Sequence, residues 1–455
     1  MQTDLRAEDR REERILISGG GVTGLALGLR LRQLGFDPLV IEKNSKIIPQ
    51  IKGEFFQPQG VECLKQLGLF EPLLKKGALP IRSVSHGYAH PLTGKRRRFR
   101  SPFSSAGPLG LSIVHEDILE VFREQYLKSG GRLLEGVFVK ELHVHSEYSD
   151  VTLSNGERIK AGLFAGAEGR SSATRKMAEL ETHVNPCHRV MLAGLVEGLS
   201  VTKDDFYTEE TADGVLYAFW SNHGAVRVYL CVSSDKLKEH HNEINAYAMR
   251  TIAQSAIKGG KSARLRGRFA PMFVGDTSVE SNFKHRAFWL GDAALTVDPL
   301  CGHGMSVALN DVLRYADEIG KNQNPDFKSL CTRWSHDARH ARFVGHWISV
   351  LFSSGSSLNR WMKWNAIRKY ENDPKLRQRL IEIFTGLNKD RVGLYEIPYL
   401  LGWLPTFLRN ELEVLKLNQK VLPLQNDLLL SPQGLGKTLK QKFLAGIRTS
   451  LVGAN

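Results

Sequence analysis

Six residues constrain this chain more than any others: Gly19-Gly20-Gly21-Val22-Thr23-Gly24. They lie between the apolar stretch Arg14-Ile15-Leu16-Ile17-Ser18 and a helix predicted over Leu25 to Leu34. The spacing is G-x-G-x-x-G. Gly19 permits the tight turn, Gly21 lets a pyrophosphate approach the backbone, and Gly24 lets the helix pack closely on the strand. The helix N-terminus then faces the phosphates with unpaired N–H groups. Gly35 follows as a natural C-cap. A second strand, Leu39-Val40-Ile41-Glu42, ends in a carboxylate with Lys43 beside it. A carboxylate at that position can accept hydrogen bonds from a ribose. This strand–turn–helix–strand unit predicts an α/β fold on a Rossmann-type nucleotide-binding sheet.

Two later stretches repeat the pattern of an apolar strand followed by glycines. Ala287-Phe288-Trp289-Leu290 leads into Gly291-Asp292-Ala293-Ala294, then Pro299 and Gly302-His303-Gly304-Met305, ahead of a helix predicted from about Ser306 to Ile319. An aspartate at a strand end can bind a sugar hydroxyl of a cofactor chain. A glycine-rich helix start can present backbone N–H groups to a flavin carbonyl that gains negative charge on reduction. Gly162-Leu163-Phe164-Ala165 leads into Gly166-Ala167-Glu168-Gly169-Arg170-Ser171-Ser172-Ala173-Thr174-Arg175, whose hydroxyls and Arg175 suit a phosphate.

In this order and at these separations, the three motifs resemble the FAD-dependent monooxygenases of the para-hydroxybenzoate hydroxylase type, the group A flavoprotein hydroxylases. The likeness covers residues 14 to about 320. Gly53-Glu54-Phe55-Phe56-Gln57-Pro58-Gln59-Gly60, with Gly302 to Val307, also resembles squalene epoxidase-like enzymes. The resemblance implies FAD as cofactor, with Asp292 on its ribityl chain and Pro299 beside its isoalloxazine ring. Gly302, His303, Gly304 and Met305 would meet the ring's pyrimidine edge. Gly19, Gly21, Gly24, Glu42 and Lys43 complete the cofactor set. His115 aligns where the family often has a flavin-contacting arginine. Glu168 and Arg175 fall where FAD and NAD(P)H are both handled. The chain departs from the family at Glu168, where aspartate is usual, at Leu295 after G-D-A-A, where histidine is usual, and at Ser306, where asparagine is common.

The implied reaction uses NAD(P)H and O2 to hydroxylate or epoxidise an aromatic or unsaturated apolar substrate via a flavin hydroperoxide. The cofactor carries the hard chemistry, while the protein orients substrate and excludes water. No catalytic residue is assigned from the sequence, and no metal site is expected. The alternatives are an FAD-dependent reductase or halogenase of the same superfamily, or a flavoprotein modifying a polypeptide partner. A halogenase of this superfamily would be expected to carry a W-x-W-x-x-I-P segment, and the sequence has none.

Size and charge bound the rest. A length of 455 residues suits two domains. The expected layout is an FAD-binding domain over 14–185, with a substrate-side segment at about 81–112, and a smaller mixed-sheet substrate domain over 186–285. The FAD domain returns over 286–330, and a helical C-terminal extension spans 331–455. The N-terminal stretch is polar, without the apolar core of a signal peptide, so a cytoplasmic location is expected. Five scattered cysteines without a C-x-x-C pair read as free thiols. The net charge of +14 is compatible with a peripheral membrane contact or an acidic protein partner. Lys95-Arg96-Arg97-Arg98-Phe99-Arg100 follows a turn signal and reads as an exposed strand end, and nucleic acid is not an expected partner. Gly434-Leu435-Gly436-Lys437-Thr438 is no P-loop, because Ser431 stands where its first glycine belongs. Trp347, Trp361 and Trp364 are expected in core or interface packing, with a greasy lid over a lipophilic substrate as the alternative. Tyr395 to Leu408, rich in Leu, Trp and Pro, and Lys437 to Leu451, which mixes basic and apolar residues, are expected as packed helix, with a surface-lying helix as the alternative.

Overall fold

The predicted strand–turn–helix–strand is the centre of the molecule: β1 (Ile15–Ser18), α1 (Val22–Gln33) and β2 (Leu39–Glu42). The computed structural model describes residues 15–50, 53–89, 93–94, 96–103, 109–321, 325–352, 367–368 and 370–384. All of these fall in one unit, Met1–Leu404. β1 pairs in parallel with β2 and with β12 (Leu163–Gly166), and β12 pairs in parallel with β19 (Ala287–Trp289). β8 (Arg132–Glu135) and β18 (Phe283–Lys284) are the edges of this six-stranded sheet. β1, β12 and β19 are the strands that precede the three motifs. Parallel pairing therefore gathers all three glycine-bearing turns at the carboxyl ends of neighbouring strands, where open α/β sheets bind their ligands. Both faces of the sheet are covered. Ile15, Ile17 and Val40 pack with α1, α4 (His115–Lys128) and α8 (Gly304–Lys321), while Leu16, Ile41, Phe164 and Trp289 face a second core. Burial on two sides explains why these strands read as unbroken apolar runs.

The second large sheet has eight strands. Their order is β20 (Leu295–Thr296), β17 (Arg264–Val279), β13 (Thr182–Glu197), β16 (Val226–Ser233), β15 (Gly214–Trp220), β14 (Asp205–Glu210), β5 (Ser83–Ala89) and β6 (Arg96–Pro102). Every pairing is antiparallel except β14 with β5. It joins the 81–112 segment to the 186–285 segment. Alternate residues sort to opposite faces. Val228, Leu230 and Val232 pack against α7 (Ile244–Gln254), whereas Tyr229 and Cys231 face the other way with Tyr217, Phe219 and Met191.

Two stretches refine what their residue patterns suggest, a helix over 53 to 77 with Val61, Leu64, Leu67 and Leu69 on one face and strands returning to the sheet over 132 to 165. Residues 53 to 77 do not start as a helix: β3 (Phe55–Phe56) comes first and pairs with β7 (Gly110–Ser112), which also pairs with β4 (Leu79–Ile81). The aromatic pair favours extended backbone, and Pro58 then opens α2 (Pro58–Gln66) at its first turn. Gly68, at φ +70°, separates α2 from α3 (Phe70–Lys75). Within 132–165, only β8 and β12 join the central sheet. β9 (Val139–Val144), β10 (Ser149–Leu153) and β11 (Arg158–Ala161) form their own antiparallel sheet. The remaining described helices are α5 (Ala173–Met177), α6 (Ser234–Glu239), α9 (Phe327–Phe352) and α10 (Pro374–Phe384).

The basic run lies on the edge strand β6. Its arginines meet carboxylates of the loop before β14 and of β14 itself. Arg96 pairs with Glu209, Arg98 with Asp205 at 2.9 Å, and Arg100 with Asp204 at 2.8 Å. Cys63, Cys231 and Cys331 are buried. Among the described residues, no helix is long and apolar enough to cross a membrane. Trp361, Trp364, Tyr395 to Leu408, Gly434 to Thr438 and Lys437 to Leu451 lie outside the described residues, as does the side chain of Trp347.

Candidate functional site

One cavity of about 970 Å³ runs from the glycine turns of the central sheet to the inner face of the eight-stranded sheet. It joins two chemically different halves.

The first half is built by backbone and carboxylates. Gly19 holds φ +113°, and a Cβ there would sit 2.4 Å from the Ala167 carbonyl oxygen. A Cβ on Gly24 would fall 1.9 Å from the Gly19 carbonyl oxygen, so Gly24 serves the packing of α1 on the turn and does not line the cavity. Gly21 has nothing within 4 Å of its Cβ position. It caps α1 and leaves a clear approach to the helix N-terminus. Glu42 accepts from Gly20 N–H at 2.8 Å and from Asn44 Nδ2 at 2.7 Å. That fixes its carboxylate against the turn, with Lys43 next to it in the cavity wall.

The second motif arrives beside the first. Gly291 takes φ +58°, and a Cβ there would strike Thr23 Oγ1 at 2.4 Å, so the Gly291–Ala293 turn lies flat on the first turn of α1. This close approach carries the exposed Asp292 carboxylate into the cavity. Pro299, Gly302, Gly304 and Met305 line it further along, just ahead of and within the first turn of α8. His303 is buried, 3% exposed, and is outside the lining. His115 begins α4, lines the cavity, and has its Nδ1 3.2 Å from the Gly53 carbonyl oxygen. The Gly53 to Gln57 segment meets the Gly302 to Met305 turn directly. A Cβ on Gly53 would touch Met305, and one on Gly302 would touch Gln57.

The third motif has a different job for its charges. Glu168 lines the cavity, yet its carboxylate accepts from Ser18 Oγ, Ser172 Oγ, Thr174 Oγ1 and Thr174 N–H at 2.7–3.0 Å. It ties β1 to the start of α5. Arg175 does not line the cavity. Its guanidinium donates to the carbonyls of Ala293 and Arg170, both at 2.9 Å, and bolts the second motif to the third.

The second half of the cavity is aromatic. Phe55, Phe206, Phe219, Tyr217 and Tyr229 line it, with ring centroids 4.9 Å apart for Phe55–Phe206 and 5.3 Å for Phe206–Phe219. Leu300, Met191 and Met272 fill the remaining wall, and Tyr370, Leu380 and Ile381 close it from α10 and the residues just before it. One ion pair is buried here. Arg227 Nη2 donates to Glu54 Oε1 at 2.8 Å, its Nε donates to Oε2, and Tyr229 hydroxyl lies 3.4 Å from the same carboxylate. Glu54 is 3% and Arg227 4% exposed. Burial pushes the Glu54 carboxyl above its ordinary value, against the pull of the guanidinium. Burial also pushes the Tyr229 phenol well up, so it stays protonated. His86, beside Phe99 and Tyr370, is held down to about 4 by burial and then by the Arg377 charge, so it is neutral at physiological pH.

Glu54, Arg227, Tyr217, Tyr229, His86 and Thr208 carried no role in the sequence reading. One signal was there: Glu54 beside Phe55-Phe56, and Arg227 inside Val226 to Val232, are lone charges in apolar runs. A buried charge requires a partner.

The fit to the expected cofactor rests on this geometry. Two glycines leave no room for a side chain, Gly21 leaves an open cradle, and Glu42 and Asp292 bring carboxylates into one elongated cavity.

Comparison with known proteins points the same way. A family model described as FAD binding domain matches residues 12–324. Rifampicin monooxygenase of Streptomyces venezuelae is 25% identical over 320 residues, covering 65% of this chain and 62% of the relative. The 3-demethoxyubiquinol 3-hydroxylase of Escherichia coli is 25% identical over 319 residues, covering 66% and 77%. This chain thus spans less than two thirds of the first of these relatives. The crystal structure of p-nitrophenol 4-monooxygenase from Pseudomonas putida superposes with a TM-score of 0.70 at 16% identity, covering 84% of this chain and 100% of that one. At that identity the superposition speaks for the fold.

Proposed function

The chain belongs to the FAD-binding-domain family, and from that premise we propose that it is an FAD-dependent monooxygenase. It takes electrons from NAD(P)H and transfers one oxygen atom of O2 to an aromatic or unsaturated, apolar substrate. The observation that carries this reading is the continuity of one cavity. Its nucleotide-type end opens without a partition into an aromatic chamber on the eight-stranded sheet. The oxygenase names of the relatives support it.

FAD, when bound, supplies the electron transfer and oxygen activation. Everything else falls to the chain. Gly19, Gly20 and Gly21, at the N-terminus of α1, would hold the pyrophosphate, with Glu42 at the adenosine ribose and Asp292 at the ribityl chain. Backbone N–H groups at the start of α8, from Gly302 to Met305, would face the ring edge where negative charge grows. The aromatic wall holds an apolar substrate by area and keeps water out, which protects a reactive oxygen species from wasteful breakdown. Arg170, Lys43 and Lys46 line the polar end of the cavity, and NAD(P)H phosphates would be drawn to that end.

The test is oxygen uptake by purified yellow protein with NADPH, with and without a panel of phenols, quinolones and polyprenyl compounds. Uptake stimulated by one compound class, with less peroxide released than oxygen consumed, is the expected result. Compound-dependent NADPH oxidation that continues in the absence of O2, with reduction of the compound, would instead identify a reductase.

A further inference from the structure

The chamber wall carries a polar rank. On the cavity face of the eight-stranded sheet, Phe99 of β6 stands opposite His86 of β5, His86 opposite Thr208 of β14, Thr208 opposite Tyr217 of β15, and Tyr217 opposite Tyr229 of β16. Residues in register share a face, so His86, Thr208, Tyr217 and Tyr229 form one line across the sheet. The rows beside it are largely apolar at the chamber: Val84 and Phe206 stand on one side, in the row that runs on through Phe219 to Arg227, and Val215, Cys231, Met191 and Met272 on the other, beyond Glu210. At the Tyr229 end the line reaches Glu54. At the other end two of its polar atoms have no hydrogen-bond partner: Thr208 Oγ1 and His86 Nε2. Thr208 is 6% exposed, and both residues line the cavity. Polar atoms out of reach of water are nearly always paired. Two orphans on adjacent strands, in register and in the wall of one chamber, mark a place where a ligand group completes the bonding.

We infer that Thr208 and His86 form a specificity subsite that receives a neutral oxygen substituent, hydroxyl or carbonyl, of an aromatic substrate whose ring lies against Phe206 and Phe219. This rests on the reading of that cavity end as the substrate chamber and names the substrate class more narrowly. The hydroxyl of Thr208 donates or accepts, and the neutral imidazole of His86 does either according to tautomer. Neither brings a formal charge, so the pair suits a phenol, a quinone or a quinolone-type carbonyl better than a carboxylate.

The test uses the FAD-loaded protein without NAD(P)H, so that no turnover occurs. Perturbation of the flavin absorbance is titrated with naphthalene, naphthol and naphthoate at neutral pH. Naphthol is expected to bind roughly tenfold tighter than naphthalene, the worth of one net hydrogen bond, with naphthoate no better than naphthalene. Thr208→Val replaces an unpartnered hydroxyl by a methyl of the same shape and should fold normally. It is expected to remove most of the naphthol advantage while leaving naphthalene unchanged. His86→Phe keeps the ring stack on Phe99 and should act in the same direction. An unchanged naphthol advantage in both variants, or tightest binding of naphthoate, would overturn the subsite and leave the chamber standing. No binding of any of the three compounds to the yellow protein would overturn the chamber reading itself, and the subsite with it.

Discussion

At the scale of single residues, the buried charges set the sharpest expectations. Glu54 and Arg227 are 173 residues apart in sequence and joined by two hydrogen bonds, both side chains buried. Removing one partner strands the other, at a cost of about 3–5 kcal/mol. Arg227→Met should therefore lower the free energy of unfolding in urea by that order. Replacing both partners by apolar residues of similar volume should recover most of the loss. A loss below about 1 kcal/mol in the single variant would mean that water reaches the pair. His86 sets a pH expectation. Its value is lowered from 6.5 to about 4 in the fold. Below 6.5 the unfolded chain therefore takes up a proton that the native one refuses, and stability falls as pH drops from 6.5 toward 4. The full effect is on the order of 3 kcal/mol. His86→Phe should flatten that part of the stability–pH curve, and an unchanged slope would place the titration elsewhere.

Among the elements, the first strand–turn–helix was legible because its demands are local. Glycine spacing, an apolar strand and a terminal carboxylate all lie within about thirty residues, and the structure places each where the spacing requires. The glycines are not equivalent, however. Gly24→Ala would push a methyl into the Gly19 carbonyl oxygen and should cost about 1–3 kcal/mol of stability. Gly21→Ala meets no protein atom within 4 Å, so the apoprotein should melt unchanged while its affinity for FAD falls. Equal behaviour of the two variants in both assays would refute this division of labour. The charges of the third motif were less legible. Arg175 reads as suiting a phosphate and Glu168 as lying where FAD and NAD(P)H are handled; in the structure their side chains bind Ser18, Ser172, Thr174 and the Ala293 and Arg170 carbonyls. A charge beside glycines looks the same in sequence whether it serves a ligand or a neighbouring turn. The arginines of β6 present the same ambiguity. Their carboxylate partners lie more than a hundred residues away, beyond any local pattern.

For the whole molecule, the sequence indicated the nucleotide half of the cavity residue by residue and the substrate side only as segments, at about 81–112 and 186–285. The glycine motifs announce themselves by type and spacing. The chamber is made by register across strands from β5 to β17, and register between distant strands has no signature within any one of them. The same separation governs what mutation should do. Asp292 is exposed within the cavity and sits on a turn that Gly291 already fixes against Thr23. Asp292→Ala should leave the chain folded by circular dichroism and strip its yellow colour on dialysis. Full retention of FAD would detach that turn from the cofactor.

The central claim is that this cavity transfers oxygen from O2 to an organic substrate. Its most direct test is turnover under isotopically labelled O2 with NADPH and whichever compound stimulates oxygen uptake, followed by mass spectrometry of the product. One labelled oxygen atom is expected in each product molecule. A product without label, or one formed equally well in the absence of O2, would contradict it.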